Sequence, residues 1–333
     1  MSAGCAHGNA KKNGLSPARS QSAEAAAQAA PNDCKPPNIA ELQQTCDAGK
    51  LDDCASLARA YAEGIGVTRE PALAFGIAER ACQQGSLRAC SSLGAAYLLG
   101  VGIARDEARG RALVERACRE GNVHGCRNLG TVYALGIGVP RDIERARHIF
   151  ADGCARNDSG SCRSMGGIYL DGLGVPKDAA RAAAYLKSAC DACDGSACGR
   201  LGELQFAGQG VARDESSALA LMEKGCQFGS AQACFNLAQR YLHGDKVAPS
   251  RERAAVWFSI ACDRGDLPAC YNLGTILLAD GPMQDLPKAA RLFERTCTDQ
   301  YLNGCDSRDA LRRRGIVPAS DRSAGATDQG APR

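Results

Sequence analysis

The sequence predicts an all-α solenoid, on three observations. Cysteine pairs spaced Cys-x7-Cys recur every 36 residues: Cys46 with Cys54, Cys82 with Cys90, Cys118 with Cys126, Cys154 with Cys162, Cys190 with Cys198, Cys226 with Cys234, Cys262 with Cys270 and, after a step of 35, Cys297 with Cys305. A repeat of that length is one supersecondary unit that cannot bury its own apolar face, so stacked copies must share a core. Within a repeat, such as CQQGSLRACSSLGAAYLLGVGIARDEARGRALVERA from Cys82, apolar residues fall at spacings of three and four on either side of a central break, which predicts two amphipathic helices of about three turns each. No segment alternates with the period of two that a half-buried strand needs.

The break predicts how the two helices are joined. It reads Gly-x-Gly-Val/Ile followed by Arg-Asp or Lys-Asp, as in Gly136, Gly138, Val139, Arg141, Asp142 and in Gly172, Gly174, Val175, Lys177, Asp178. Glycine supplies a left-handed cap to the helix that ends there, and Asp is a good N-cap for the next.

The cysteine spacing predicts the other joint. Residues eight apart in an unbroken helix are about 12 Å apart along the axis, beyond the ~4.4–6.8 Å Cα separation of a disulfide. The pair therefore straddles a turn, marked by Gln84-Gly85-Ser86, Glu120-Gly121-Asn122 and Arg264-Gly265-Asp266. Each disulfide would join the second helix of one repeat to the first helix of the next. Buried free thiols and metal ligands are the competing readings. The spacing favours disulfides, because zinc sites use shorter spacings with histidines nearby and the four histidines, His7, His124, His148 and His243, sit at unrelated repeat positions. Neither a metal nor a cofactor is expected. Cys5, Cys34 and Cys193 stand outside the scheme. In a rod that advances about 10 Å per helix layer, Cys34 and Cys193 are expected to be too far apart to meet, leaving free thiols or links to another molecule.

Composition bounds the rest. A net charge of +3 over 333 residues gives no electrostatic footprint for nucleic acid, and no run approaches the length needed to cross a bilayer. Residues 34–315 are expected to form the solenoid, with disordered segments at 1–33 and 316–333; the first is rich in Ala, Ser, Gln and Gly and would reach about 30 Å as a linker. Ser2-Ala3-Gly4-Cys5 resembles the cleavage end of a bacterial lipoprotein signal, with Ser2 where Leu is usual. That resemblance makes Cys5 a candidate lipidation site; either the start lies upstream of Met1 or the four-residue resemblance is chance. Disulfides independently imply an extracytoplasmic location: periplasm, outer-membrane lipoprotein or secreted.

The string Leu129, Gly130, Tyr133, Gly136, Gly138, Val139, Asp142, Ala146 resembles the Sel1-like repeat, a relative of the tetratricopeptide repeat. With its Cys-x7-Cys pairs the chain is similar to the Helicobacter cysteine-rich proteins. This resemblance covers roughly residues 38–310 and implies a right-handed α/α solenoid of seven to eight repeats, one disulfide in each. Departures are Gln205 at the Tyr position, Ala238 for Gly with Asp245-Lys246 in the following loop, and Asp280-Gly281-Pro282. Some members of that group are described as penicillin-binding or as weak β-lactamases, so the resemblance also implies a hydrolase as the alternative function. The residues offer that reading little: Ser-x-x-Lys, Ser-Asp-Asn and Lys-Thr-Gly are absent, and a nucleophilic Cys193 would have no histidine close in sequence.

Residues that recur in every repeat serve stacking, which assigns Tyr61, Tyr97, Tyr133, Tyr169 and Tyr241 to the framework. Function should lie where repeats differ. Asn128, Arg200, Asn236 and Asn272 are polar on otherwise apolar helices, and Thr131, Glu203, Gln239 and Thr275 follow three residues later. With His243 they share one helical face, which in a solenoid lines the concave surface. The expectation is a monomeric scaffold whose concave face binds a protein or peptide, including peptidoglycan stem peptides; a merely solvated face is the competing reading.

Overall fold

Most helices begin on a side-chain cap. The computed structural model describes Cys34, residues 38–297 and residues 302–316, so the expectations for 1–33, for Cys5 and for 317–333 lie outside the described residues. Among the described residues sixteen helices run in order: α1 Ile39–Asp47, α2 Leu51–Glu63, α3 Pro71–Gln83, α4 Leu87–Leu99, α5 Glu107–Arg119, α6 Val123–Leu135, α7 Ile143–Ala155, α8 Ser159–Asp171, α9 Ala179–Asp191, α10 Gly195–Ala207, α11 Glu215–Gln227, α12 Ala231–His243, α13 Arg251–Asp263, α14 Leu267–Leu278, α15 Leu286–Thr296 and α16 Leu302–Arg313. No strand occurs among the described residues. The fold is an all-α array of helix pairs.

The carboxylates of Asp106, Asp142, Asp178 and Asp214 each accept the N–H three residues on, at 2.9–3.0 Å, and so satisfy an orphan donor at the start of α5, α7, α9 and α11. Gly100, Gly136 and Gly172 end α4, α6 and α8 in the left-handed conformation, with φ of 68° to 71°. Gly102 is required twice over. Its φ is +75°, and a β-carbon there would run into the Pro71 carbonyl at the start of α3. In the last full repeat, where Asp280-Gly281-Pro282 replaces the usual break, α14 stops a residue early and its C-cap Ala279 is extended instead of left-handed.

The eight Cys-x7-Cys pairs are all joined as the spacing implies. Cys46 bonds to Cys54, Cys82 to Cys90, Cys118 to Cys126 and Cys154 to Cys162. Cys190 bonds to Cys198, Cys226 to Cys234, Cys262 to Cys270 and Cys297 to Cys305. Their Cα–Cα distances are 4.3–4.7 Å, which the turn between the two helices makes possible.

Every extensive packing is between helices adjacent in sequence or next but one, so the core is a string of local clusters built largely of Ala, Cys and Leu. The recurring tyrosines are framework, as their register implies. Tyr97, Tyr133 and Tyr169 are buried, their carbonyls accept the N–H of Asp106, Asp142 and Asp178, and Arg109, Arg145 and Arg181 lie over their rings. Where Gln205 replaces Tyr, the residue standing where those arginines do is Ser217, whose hydroxyl donates to the Gln205 side chain at 3.2 Å.

Two expectations are corrected. Ile316, assigned to the C-terminal tail, packs against the last core cluster, and its N–H donates to Leu311 O. Cys34 and Cys193, expected to lie beyond each other's reach, are disulfide-bonded across 159 residues with a Cα–Cα distance of 5.4 Å. The straight rod was the faulty premise. Asn38, the cap of α1, is four positions along the chain from Cys34, so it lies within about 14 Å of Cys34, and the array curves back towards its own beginning.

Candidate functional site

The helices that follow the first seven Cys turns, α2, α4, α6, α8, α10, α12 and α14, form the inner layer. Extensive next-but-one packing occurs as α2 on α4, α4 on α6 and α10 on α12, and not between the outer, odd-numbered helices. Layers that approach more closely lie on the inside of the curve, so the inner helices line the concave face.

Polar ties run from repeat to repeat along this layer. Ser86 donates to Asp52 at 3.2 Å, and Asn128 Nδ2 donates to Ser91 Oγ at 2.9 Å and Ser91 O at 3.1 Å. Arg127 meets Asp158 at 3.0 Å, Arg163 meets Asp194 at 2.9 Å, and Arg240 meets Glu203 at 2.8 Å. Asp158 is the most enclosed of these groups, with a side chain 1% exposed. Burial alone would raise its pKa; His124, the Arg127 charge and both donors of Ser161 reverse this and hold the carboxyl well below the usual carboxylate range. His124 Nδ1 lies 3.1 Å from the same carboxylate, but not along a hydrogen-bond line.

Ser161, Asp158 and His124 are therefore contiguous, but in an order unsuited to nucleophilic catalysis. The Ser161 hydroxyl donates to Asp158 at 2.7 Å rather than to the imidazole, whereas an activated serine needs its base as direct partner. Every cysteine among the described residues is in a disulfide, and disulfide sulfur is no thiolate nucleophile. No group of three His, Cys, Asp or Glu side chains among the described residues is placed to hold a metal.

The nine residues singled out from sequence separate into two groups. Asn128 is half-buried and its amide donor is committed to Ser91, so it ties α6 to α4. The hydroxyls of Thr131 and Thr275 donate to the carbonyls four residues back, Arg127 O and Tyr271 O. Glu203 is held by Arg240, whose guanidinium also lies 3.9 Å over the Phe206 ring and pairs with Asp245. On α12, Asn236 accepts from Gln232 at 2.7 Å and Gln239 lies 3.0 Å from His243, giving one polar face at the helix surface. Among the described residues Arg200 and Asn272 have no side-chain partner; Arg200 is exposed on α10 and Asn272 is half-buried on α14.

A second feature was not read from the sequence. Each inner helix from α2 to α12 carries a single arginine: Arg59, Arg88, Arg127, Arg163, Arg200 and Arg240. Arg59, Arg127, Arg163 and Arg240 have acidic partners. Burial first, and then repulsion from Arg59, push the Arg88 pKa down, opposed by Asp52. Arg88 also lines a cleft of about 630 Å³ at the Cys-turn edge, together with Lys50, Asp52, Asp53, Ser86 and Asn122, and none of the nine residues lines it. The signal for the arginines was present as Arg127 and Arg163 lying 31 residues before the caps Asp158 and Asp194.

Comparison with known proteins agrees with this architecture. The Sel1 repeat matches seven times, over residues 52–86, 87–122, 123–158, 159–192, 195–229, 231–266 and 267–300. A Sel1 repeat protein from Oxalobacter formigenes is similar in structure, with a TM-score of 0.58 and 24% identity over 82% of this chain and 80% of its own. A protective antigen of uropathogenic Escherichia coli with an SLR fold has a TM-score of 0.50 and 20% identity over 84% of this chain and 68% of its own. The Helicobacter pylori cysteine-rich protein B is 30% identical over 39% of this chain and 93% of its own, with a TM-score of 0.33. No curated relative matches by sequence. With seven repeat matches across residues 52–300 and a disulfide at every Cys turn, this chain belongs to the Sel1 repeat family.

Proposed function

We propose that the concave face around α10, α12 and α14 binds an extended peptide segment, from a partner protein or a peptidoglycan stem peptide, outside the cytoplasm. The observation that carries this reading is Arg200. It is an exposed guanidinium on the inner layer with no acidic partner, whereas Arg127, Arg163 and Arg240 are each paired. A planar guanidinium suits a peptide carboxylate, which it holds through two parallel hydrogen bonds. Asn236, Gln239 and Asn272 offer amide groups that can pair with an extended backbone, and stacked repeats supply such positions at regular intervals. The density of disulfides supports the oxidising compartment, and a tether through Cys5 would hold the array at a membrane surface.

The test is binding of extended peptides with free or amidated C-terminal carboxylates, measured by fluorescence anisotropy on the oxidised, full-length protein. The triple variant R200A/N236A/N272A should lose at least about tenfold in affinity for the carboxylate form, equivalent to ~1.4 kcal/mol, with an unchanged helical circular dichroism signal. Equal affinity of wild type and variant, or indifference to amidation, would remove this reading.

A further inference from the structure

Eight of the nine disulfides close short local turns; the ninth does not, and one of its cysteines occupies a position that disfavours it. Cys193 lies in the turn between α9 and α10 with φ of +65°. The equivalent turns carry Gly49, Gly85, Gly121, Gly229 and Gly265, all at positive φ, and Asn157. A residue with a β-carbon is disfavoured there, Asn least so. Cysteine at this one turn is half-exposed and stands outside the buried core. What sets it apart is its bond to Cys34, just ahead of α1, across a sequence separation of 159.

That bond is mechanically unlike the others. A reduced staple leaves its two sulfurs side by side across one turn, beside packed helices. The Cys34–Cys193 bond joins the beginning of the array to its fifth Cys turn, whereas extensive helix packing never extends beyond next-but-one neighbours. Each staple from Cys46–Cys54 to Cys262–Cys270 has at least one buried cysteine, while Cys34 and Cys193 are both half-exposed, as are Cys297 and Cys305 of the last staple, and exchange requires access to sulfur.

We propose that Cys34–Cys193 is a thiol–disulfide exchange site that clasps the superhelix, so that its opening relaxes the curvature and widens the concave face. The co-reactant is a dithiol. One of its thiolates attacks Cys34 Sγ or Cys193 Sγ, forming a mixed disulfide as the Cys34–Cys193 bond breaks and the other cysteine leaves as a thiolate. The second thiol of the reductant then displaces the first cysteine, so two electrons and two protons pass to Cys34 and Cys193 and the reductant departs as a disulfide.

The experiment titrates oxidised full-length protein with dithiothreitol, traps thiols by alkylation for peptide mapping, and records small-angle X-ray scattering at each dose. Cys34 and Cys193 should become alkylated before any of the fourteen staple cysteines from Cys46 to Cys270, and the maximum dimension should increase over the same doses. C34S should show the larger dimension without reductant. C193G should do the same while restoring the glycine of the other turns, which separates loss of the clasp from damage to the turn. A missing Cys34–Cys193 cross-linked peptide in the oxidised protein, a staple from Cys46–Cys54 to Cys262–Cys270 that opens first or together with it, or superimposable scattering from wild type and both variants would overturn the proposal. None of these readouts depends on what the concave face binds.

Discussion

Arg127 and Asp158, 31 residues apart in sequence, meet at 3.0 Å across the boundary between one inner helix and the cap of the next. The same offset pairs Arg163 with Asp194. Both links join a cation on one inner helix to the carboxylate that starts the following one, so each serves the N-cap and the repeat interface together. Replacing Asp158 by Asn keeps a capping oxygen but leaves Arg127 without its counter-charge. The expected loss is about 1–3 kcal/mol at neutral pH, read by urea denaturation.

The contribution of Asp158 depends on pH in a defined direction. Its folded-state pKa lies below the value in the unfolded chain, so its stabilisation is fully present above the unfolded carboxylate pKa of about 4. It is lost as pH falls from there through the folded value. The stability gap between wild type and D158N should therefore be constant from about pH 5 to 7 and shrink below about pH 4. A gap that widens in acid would contradict the assignment.

Asp266 caps α14 at the equivalent position, but the residue 31 places earlier is Phe235, not arginine. Burial raises its pKa, opposed by the N–H of Ala269. The sign is the reverse of Asp158: with a raised folded pKa, its favourable contribution is present below the unfolded value and is lost as pH rises through the folded one. D266N keeps the cap acceptor and removes the buried charge. It should match or exceed wild type in melting temperature at about pH 7, with the advantage vanishing in acid.

The array was legible because its signals repeat. The 36-residue period, the Gly-x-Gly breaks and the Asp caps each recur often enough to set helix limits, and the Cys-x7-Cys spacing excludes an unbroken helix between the partners. The Cys34–Cys193 bond was not legible, because superhelical curvature comes from small rotations at every interface that no single repeat encodes. The binding face was legible only in outline. Asn128 and Asn272 occupy the same repeat position, yet Asn128 is tied to Ser91 because Ser91 is the serine of the preceding inner helix that lies opposite it. Which polar side chain is occupied depends on its neighbour one repeat away, and that became visible only with the layers assembled.

Lys246 stands where most other breaks carry their second glycine and adopts φ of +63°. Replacing it by Gly should stabilise the protein by about 1 kcal/mol through relief of the left-handed strain, less any small loss from its 4.0 Å contact with Glu215. The reciprocal change, Gly102→Ala, places a β-carbon against the Pro71 backbone as well as at positive φ. It should destabilise by at least about 2 kcal/mol. Thermal melts of the two variants should move in opposite directions.

Alkylation of protein from its native compartment without reductant gives the most direct check on the covalent framework. All eighteen cysteines from Cys34 onward are paired, so Cys5 alone is left as a candidate for labelling. Each staple closes a loop of about nine residues and contributes roughly 2.5 kcal/mol by the entropy of the unfolded chain, whereas a loop of ~160 residues contributes nearer 5. Breaking Cys34–Cys193 alone should therefore lower the melting temperature more than breaking any one staple. The helical signal should survive full reduction at low temperature, because the repeat interfaces hold the helices together without the bridges. Labelling of most cysteines in the native compartment would place the chain in a reducing environment and remove the extracytoplasmic reading.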